Sequence, residues 1–244
     1  MEEYKTGCRI LNRDIIKYIA MAAMLLNHIA NIFLPSGTLL NEIFLDIGYF
    51  TAITMCYFLV EGYEYTHSKK QYGIRLFVFA VISQIPFQMA FQHGGLNMIY
   101  TLFICFLILV VREKVANQVL CIVLQTVLVL VTILGDWPLF APIFTIMFDA
   151  WKKDEKKLPL AYVIAMISFG LMNFMNATYI YEDLPIAILS ALGSCVGILA
   201  SGIVILYLYN GKRAEHGRTI SKWFFYIFYP GHLLALALIA RAGV

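Results

Sequence analysis

The sequence predicts an all-α polytopic membrane protein: one domain over residues 1–244, with about nine spanning helices and a cytoplasmic N-terminus. Apolar residues make up 61% of the 244 residues and charged residues only 14%, whereas soluble domains are about half apolar and a quarter charged. Such a chain lacks the polar residues needed to cover a soluble globule. We therefore exclude a soluble enzyme, a disordered protein and a nucleic-acid binder.

Nine apolar segments approach the length of about 20 residues that crosses a bilayer. Turn-forming residues separate several of them: Pro35-Ser36-Gly37 follows the first, Gly94-Gly95 the third, and Asn210-Gly211 the eighth. The predicted helices cover residues 14–34, 42–64, 72–92, 96–111, 116–134, 138–151, 158–175, 184–209 and 222–241. The short connections predict that helices adjacent in sequence are antiparallel neighbours.

The positions of Lys and Arg predict the orientation. With a cytoplasmic N-terminus, 17 of the 18 basic residues, beginning with Lys5, lie on the cytoplasmic side, and only Arg241 does not. The sixth segment has only 14 residues, or about 21 Å of helix. It must still cross or enter the membrane, because otherwise the basic run Lys152–Lys157, which is expected to contact lipid headgroups, would lie outside.

The first segment carries polar side chains at membrane depth, where an ionisable group costs about 3 kcal/mol and is a candidate functional residue. Asn27 and Asn31 flank His28, and Lys17 lies 11 residues before it. Eleven residues is close to three turns, so Lys17 and His28 share a face about 16 Å apart. One elongated ligand would meet Lys17 with a phosphate and His28 with its reactive end. The alternative is a buried structural histidine, with Lys17 reaching the membrane interface.

The ninth segment carries a second mid-membrane histidine, His232, after Tyr229-Pro230-Gly231. Pro230 is expected to kink the helix and Gly231 to permit close approach. The two histidines lie at similar predicted depths, which suggests one shared cavity. The alternative is a packing helix in which His232 bonds to another helix.

The second and third segments add a further polar group. Glu61 and Arg75 lie at the predicted inner ends and form either a structural ion pair or part of a site. Gln84, Gln88 and Gln92 follow at intervals of four residues, and such a polar stripe must face protein or water in a bilayer.

Other features predict structure and not chemistry. Asn97 is expected to cap the fourth helix. Gly193, Gly197 and Ser201 predict close helix packing in the eighth, on a face that would also serve a homo-oligomer. The Cys and His spacing predicts no metal site. The sequence has no phosphate-binding loop and no nucleophile elbow, so any chemistry is expected inside the bundle.

Several short segments together resemble the TraX family, named for the conjugative-pilin acetylase. The resemblance runs in order from about residue 14 to 240, which is nearly the whole chain. The segments that carry it are Ile16–Ile29, Phe58–Tyr63, Tyr72–Leu76, Ser83–Phe87, Leu96-Asn97, Thr101-Leu102, Asn210–Arg213 and Phe228–Leu233.

The resemblance implies a multi-pass acetyltransferase of the bacterial cytoplasmic membrane, related to acyltransferases that modify surface sugars with acetyl groups from cytosolic acetyl-CoA. A basic residue, ten intervening positions and a histidine recur in the first helix of that wider group. Lys17 and His28 match this spacing, with Lys in place of the usual Arg. Asn27 replaces the usual Asp. Either another acid stabilises the imidazolium, and Glu61 is a candidate, or the activity is weaker or different.

The resemblance, together with these residues, implies acetyl transfer from acetyl-CoA to a hydroxyl or amine of an envelope acceptor, which would be a glycan, a pilin or a lipid. His28 would act as general base or as acyl carrier, while His232 and Tyr229 would polarise the thioester or place the acceptor. The residues predicted for catalysis are His28, His232, Tyr229, Asn27 and Glu61; those predicted to bind acetyl-CoA are Lys17, Arg75, Lys212, Arg213, Asn31 and Gln84.

Two functions of other classes compete with acetyl transfer. A transporter or proton-coupled permease would use the glutamine stripe and the histidines as a path across the membrane. A scaffold for a secretion or conjugation system would need neither the paired histidines nor the stripe.

Overall fold

The computed structural model describes residues 9–92, 94–215 and 217–243, so Lys5, one residue used to predict the orientation, lies outside the described residues. Over these ranges the chain forms nine α-helices. They are α1 Arg13–Phe33, α2 Leu39–Tyr65, α3 Lys69–Phe91, α4 Met98–Lys114, α5 Gln118–Val131, α6 Phe140–Trp151, α7 Lys157–Ile180, α8 Leu184–Ile203 and α9 Arg218–Arg241. Each predicted segment corresponds to one helix, and the predicted all-α class is confirmed.

Two helices end in a different helical form. A 3-10 turn at Thr132–Leu134 follows α5, and a π-helical turn at Val204–Leu208 follows α8. Six helices of the described ranges are long and apolar enough to span a membrane: α1, α2, α3, α7, α8 with its π turn, and α9. The helices α4, α5 and α6 have 17, 14 and 12 residues. Their crossing of the membrane, and the cytoplasmic N-terminus, stay predictions.

Polar side chains cap the N-terminal ends of four of these helices. The side chains of Asn12, Ser68, Asn97 and Asn117 accept backbone N–H groups of the first turns of α1, α3, α4 and α5. An N-cap of this kind satisfies donors that have no partner within the helix. The predicted cap at Asn97 is confirmed.

The chain divides into two compact units, and α2, α7 and α9 contribute residues to both. The first unit comprises Met1–Thr54 and Tyr162–Phe228, and the second comprises Met55–Ala161 and Tyr229–Val244. The prediction of a single domain stays a prediction.

In the first unit, the N-terminal half of α2 packs against α1 through polar contacts. The Asn41 amide donates to the Ala30 carbonyl (3.0 Å), and the Thr51 hydroxyl donates to the Ala20 carbonyl (2.6 Å). Because the contacts on α1 run from residue 30 back to residue 20 as those on α2 run from 41 to 51, the two helices are antiparallel.

The same part of α2 packs against α8, on the face that carries the small residues. A methyl group at Gly193 or Gly197 would collide with Asp46, and the hydroxyls of Thr54 and Ser201 lie 2.7 Å apart. The prediction of close helix packing is confirmed, and the partner of this face is α2 of the same chain. The contacts advance along both helices together, so α2 and α8 are parallel.

In the second unit, the turn before α4 is held by the turn before α6. The Leu96 N–H donates to the Leu134 carbonyl, and the Asp136 N–H donates to the Leu96 carbonyl, each at 2.8 Å. The Thr101 hydroxyl also donates to the Asp136 carbonyl at 2.7 Å. These bonds set the position of α4, which carries part of the polar site described below.

Candidate functional site

The α1 residues Lys17 and His28 lie on one uninterrupted helix in the first unit. His28 is buried, with 6% of its surface exposed. The Lys17 ammonium lies over the ring of Phe225 in α9, 5.2 Å from its centroid. A regular helix separates the two residues by about 16 Å along its axis, as the sequence predicts.

The two asparagines beside His28 are ordered by hydrogen bonds. The Asn31 amide donates to the Asn27 backbone carbonyl (2.8 Å) and to the Asn27 side-chain oxygen (3.1 Å). The Asn27 amide donates to the Leu45 carbonyl of α2 (3.4 Å), and a methyl group at Gly48 would collide with Asn27. An aspartate has no donor for the Leu45 carbonyl, which is a physical reason for Asn27 at this position.

The segment before α9 lies beside the start of α1. The Arg13 N–H donates to the Lys212 carbonyl (2.9 Å), and the Ala214 N–H donates to the Asp14 carboxylate (2.7 Å). Lys212 and the adjacent Arg213 are exposed, and they are held next to the first turn of the helix that carries Lys17. The structure thus places Lys212 and Arg213 beside the start of the helix that carries Lys17, whereas Arg75, also predicted to bind acetyl-CoA, belongs to the second unit.

Sequence reasoning missed two residues of this cluster, Arg13 and Asp14. They are 9% and 8% exposed. Arg13 precedes Lys17 by four residues and therefore shares its face of α1. This spacing was a usable signal, although Arg13 served only to predict the orientation.

Sequence reasoning also missed two acids in α2, Glu42 and Asp46. The Glu42 carboxylate accepts the hydroxyls of Tyr181 (3.0 Å) and Ser190 (2.9 Å), and Asp46 lies against Gly193. Burial, the hydrogen bond to Glu42 and the Glu42 charge all raise the pKa of Tyr181, which follows α7. Two acids four residues apart inside an apolar segment were the available signal.

In the second unit, the structure brings Tyr229 and His232 into contact. Their rings meet edge to face with centroids 5.7 Å apart, and both side chains are buried. The Tyr229 hydroxyl accepts the Met98 N–H at the start of α4 (3.2 Å). The predicted close approach at Gly231 is wrong: the residue is exposed, and no other helix among the described residues comes within 4 Å of a methyl group placed there.

Gln84 holds the turn between α3 and α4. Its amide donates to the Gly95 carbonyl (2.9 Å), and its side-chain oxygen accepts both the backbone N–H and the amide of Asn97. The other two glutamines of the predicted stripe, Gln88 and Gln92, are exposed. The geometry therefore gives Gln84 a structural role, whatever ligand it also contacts.

Glu61 and Arg75 also belong to the second unit. Glu61 is buried in α2, and the Arg75 guanidinium lies 5.8 Å from the centroid of the Tyr72 ring. The predicted pairing of Glu61 with Arg75 stays a prediction, as does a cavity shared by His28 and His232. Each unit thus contains a buried histidine with polar neighbours of its own.

Comparison with known proteins adds the family to this geometry. The model of the family described as TraX protein matches residues 12–240. The chain is 30% identical over 236 residues to the probable fimbrial assembly protein FimC, serogroup H1, of Dichelobacter nodosus, covering 91% of this chain and 92% of that protein. No solved structure matches. A match over most of the chain, with the motif residues Lys17 and His28 inside it, shows that the chain belongs to the TraX protein family.

Proposed function

We propose that this chain is a membrane acetyltransferase that transfers the acetyl group of acetyl-CoA to an amine or hydroxyl of an envelope acceptor. The observation that carries the proposal is α1, where His28 is buried between ordered asparagines and cationic residues cluster about 16 Å away at the other end. The resemblance to a fimbrial assembly protein favours a pilin among the acceptors that the sequence leaves open.

The cationic cluster would bind the phosphates of acetyl-CoA. Lys17 lies on α1, and the exposed Lys212 and Arg213 lie beside its first turn. Hydrogen bonds from cationic side chains to phosphate are stronger than those between neutral groups. An extended ligand bound there would direct its thioester along α1 towards His28.

His28 would serve as the general base. The acceptor N–H or O–H gives its proton to the imidazole as the acceptor lone pair bonds to the thioester carbonyl carbon. The C–S bond then breaks, and the CoA thiolate leaves with the proton returned by the imidazolium. In the acyl-carrier alternative, the imidazole itself takes the acetyl group first and then passes it to the acceptor.

A carboxylate near His28 would stabilise the imidazolium formed in this step. The first unit offers Asp46 of α2 for this role: it is next to Leu45, whose carbonyl accepts the Asn27 amide, and its carboxylate lies against Gly193 of α8. Glu61 remains the candidate of the second unit, and the pair Tyr229–His232 is proposed to polarise the thioester carbonyl or to place the acceptor.

The test compares His28→Ala with His67→Ala, because His67 is an exposed histidine of the loop after α2. Free-thiol release from acetyl-CoA by the purified protein in detergent is measured with and without cell-envelope extract. We expect His67→Ala to match the unaltered chain and His28→Ala to lose at least a hundredfold in rate, as is typical for removal of a general base.

Acetyl-CoA binding, measured by calorimetry, is expected to persist in His28→Ala. Full thiol release by a folded His28→Ala protein would overturn the assignment. No thiol release and no acetyl-CoA binding by the unaltered chain, together with pH-dependent flux in proteoliposomes, would instead support the transporter.

A further inference from the structure

A cavity of about 560 Å³ lies within the second unit, at the helix ends that the sequence predicts to be cytoplasmic. It is formed by the C-terminal ends of α2, α4 and α6 and by the N-terminal parts of α3 and α5. The charged residues of its wall are Glu64, Lys69, Arg112, Glu113, Asp149, Lys152 and Lys153. Its volume falls in the range of small-molecule sites, about 300–1,000 Å³.

The charged residues of this wall form ion pairs with one another. Lys69 pairs with Glu113, which also accepts the Tyr63 hydroxyl. The Arg112 Nε donates to Asp149 (2.6 Å), and another Arg112 nitrogen donates to the Gln125 side chain (3.3 Å).

A third carboxylate, Glu64, holds two cations. Lys152 pairs with one of its oxygens and Lys153 with the other, at 2.8 Å for Lys153. The side chain of Lys152 is only 11% exposed, whereas that of Lys153 is 81% exposed. Lys152 thus lies deep in the wall and Lys153 at its edge.

The wall contains four cationic side chains and three carboxylates, so the cationic groups outnumber the anionic groups by one. We infer that this cavity binds the phosphate group of a ligand, supplied either by a soluble phosphoester or by the headgroup of an anionic phospholipid. The inference does not depend on acetyl transfer, because it concerns a cavity of the second unit only.

Phosphate is the group that this wall fits best. The guanidinium of Arg112 is planar and presents its N–H donors in a fork that matches two phosphate oxygens. Phosphate oxygens would replace the carboxylates as partners of Arg112, Lys69 and Lys152. The carboxylates hold the cationic side chains around the cavity before the ligand enters, and they compete with it for the same donors.

The first test measures binding of inorganic pyrophosphate by calorimetry to the full chain in phosphatidylcholine nanodiscs. Arg112→Gln is compared with Lys114→Gln, which removes the same charge one turn or less away on α4 but outside the wall. We expect Arg112→Gln to weaken binding at least tenfold and Lys114→Gln to change it less than twofold. Equal binding by both variants, or none by the unaltered chain, would overturn the inference.

Because Arg112→Gln leaves Asp149 without its ion-pair partner, a second variant guards against misfolding. The double variant Arg112→Gln/Asp149→Asn removes both charges and keeps the net charge of the wall. We expect it to bind pyrophosphate at least tenfold more weakly than the unaltered chain. Unchanged binding by a folded double variant contradicts a role for the guanidinium.

The sign of the effect at a carboxylate separates an anion site from a cation site. Asp149→Asn frees Arg112 and removes a competing negative charge, so we expect pyrophosphate to bind several-fold more tightly. Weaker binding in this variant would mean that the cavity prefers a cationic ligand, which contradicts the inference.

Changing the lipid of the nanodisc distinguishes the two possible sources of the phosphate group. If a headgroup occupies the cavity, replacing phosphatidylcholine by phosphatidylglycerol lowers the apparent affinity for pyrophosphate in the unaltered chain but not in Arg112→Gln. If the natural ligand is a soluble phosphoester, the affinity of the unaltered chain is the same in both lipids. Either outcome supports a phosphate site and assigns its source.

Discussion

At the scale of single residues, Asn97 shows how much one buried amide contributes to this fold. It is 0% exposed and caps α4 by accepting the N–H groups of Ile99 and Tyr100. Its own amide donates to the Ala80 carbonyl (2.7 Å) and to Gln84. The residue therefore fastens the start of α4 to α3.

We predict that Asn97→Ala lowers the free energy of unfolding by about 3 kcal/mol. Loss of an N-cap costs about 1 kcal/mol, and each buried polar group left without its hydrogen-bond partner costs about 1–3 kcal/mol. Asn117→Ala is the matched control, since Asn117 is exposed and its side chain caps α5 with one bond, to the Leu120 N–H. We expect it to cost about 1 kcal/mol. The thermal unfolding midpoint in detergent measures both, and equal shifts would show that the buried bonds of Asn97 add nothing.

Predictions for single residues were confirmed where they depended only on residues nearby in the chain. A cap needs only the side chain and the next turn, so Asn97 was predictable as a cap. The role of Gln84 was not, because its partners Gly95 and Asn97 approach it only after α3 and α4 have packed. The ring contact of Tyr229 with His232 was not predicted, although residues three positions apart lie on the same face of a helix.

At the scale of elements, the parallel contact of α2 with α8 depends on the absence of a side chain at Gly197. A methyl group there would collide with the Asp46 carbonyl and lie 2.8 Å from the Phe50 backbone nitrogen. Both are backbone atoms of α2, so no side-chain rotation relieves the collision and α8 must move away from α2.

We predict that Gly197→Ala destabilises the protein by about 1–3 kcal/mol, the usual cost of overpacking. Gly231→Ala is the control, because the added methyl group meets no described atom outside its own helix. We expect the control to be neutral or to stabilise by up to about 1 kcal/mol, since alanine favours the helix. Thermal unfolding in detergent measures both, and a harmless Gly197→Ala would contradict the packing of α8 on α2.

At the scale of the whole molecule, the parallel direction of α2 and α8 bears on the number of crossings. If both helices span the membrane, the five helices between them must cross it an odd number of times. The described helices α3 and α7 are long enough to span. If α3 and α7 both cross, the total is odd when all three of the short helices α4, α5 and α6 cross, or when only one of them does. It is even when two of them cross, which the parallel direction excludes.

We predict that the loop after α6 is cytoplasmic and the loop after α7 is external. Glu155→Cys and Glu182→Cys place a thiol at two exposed glutamates of these loops, and the unaltered chain gives the background from native cysteines. A membrane-impermeant maleimide applied to intact cells is expected to label Glu182→Cys only, because basic loops stay inside. Labelling of Glu155→Cys alone would reverse the predicted orientation.

The sequence by itself determined the membrane class, the positions of the nine helices and the spacing of Lys17 and His28. These follow from local rules: in a bilayer each helix must satisfy its own backbone, and a fixed rise per residue then sets which side chains share a face. The start and end of each helix were predictable to within a few residues for the same reason.

Only the tertiary structure decided which faces meet. It placed α2 against both α1 and α8, brought Asn27 to the Leu45 carbonyl and set Lys212 beside Arg13. It also placed the ion-paired residues of α2 to α6 around one cavity. For the basic run Lys152–Lys157, the sequence predicted only the orientation and contact with lipid headgroups. These contacts join residues far apart in the chain, and they depend on how side chains fit together once the helices have formed.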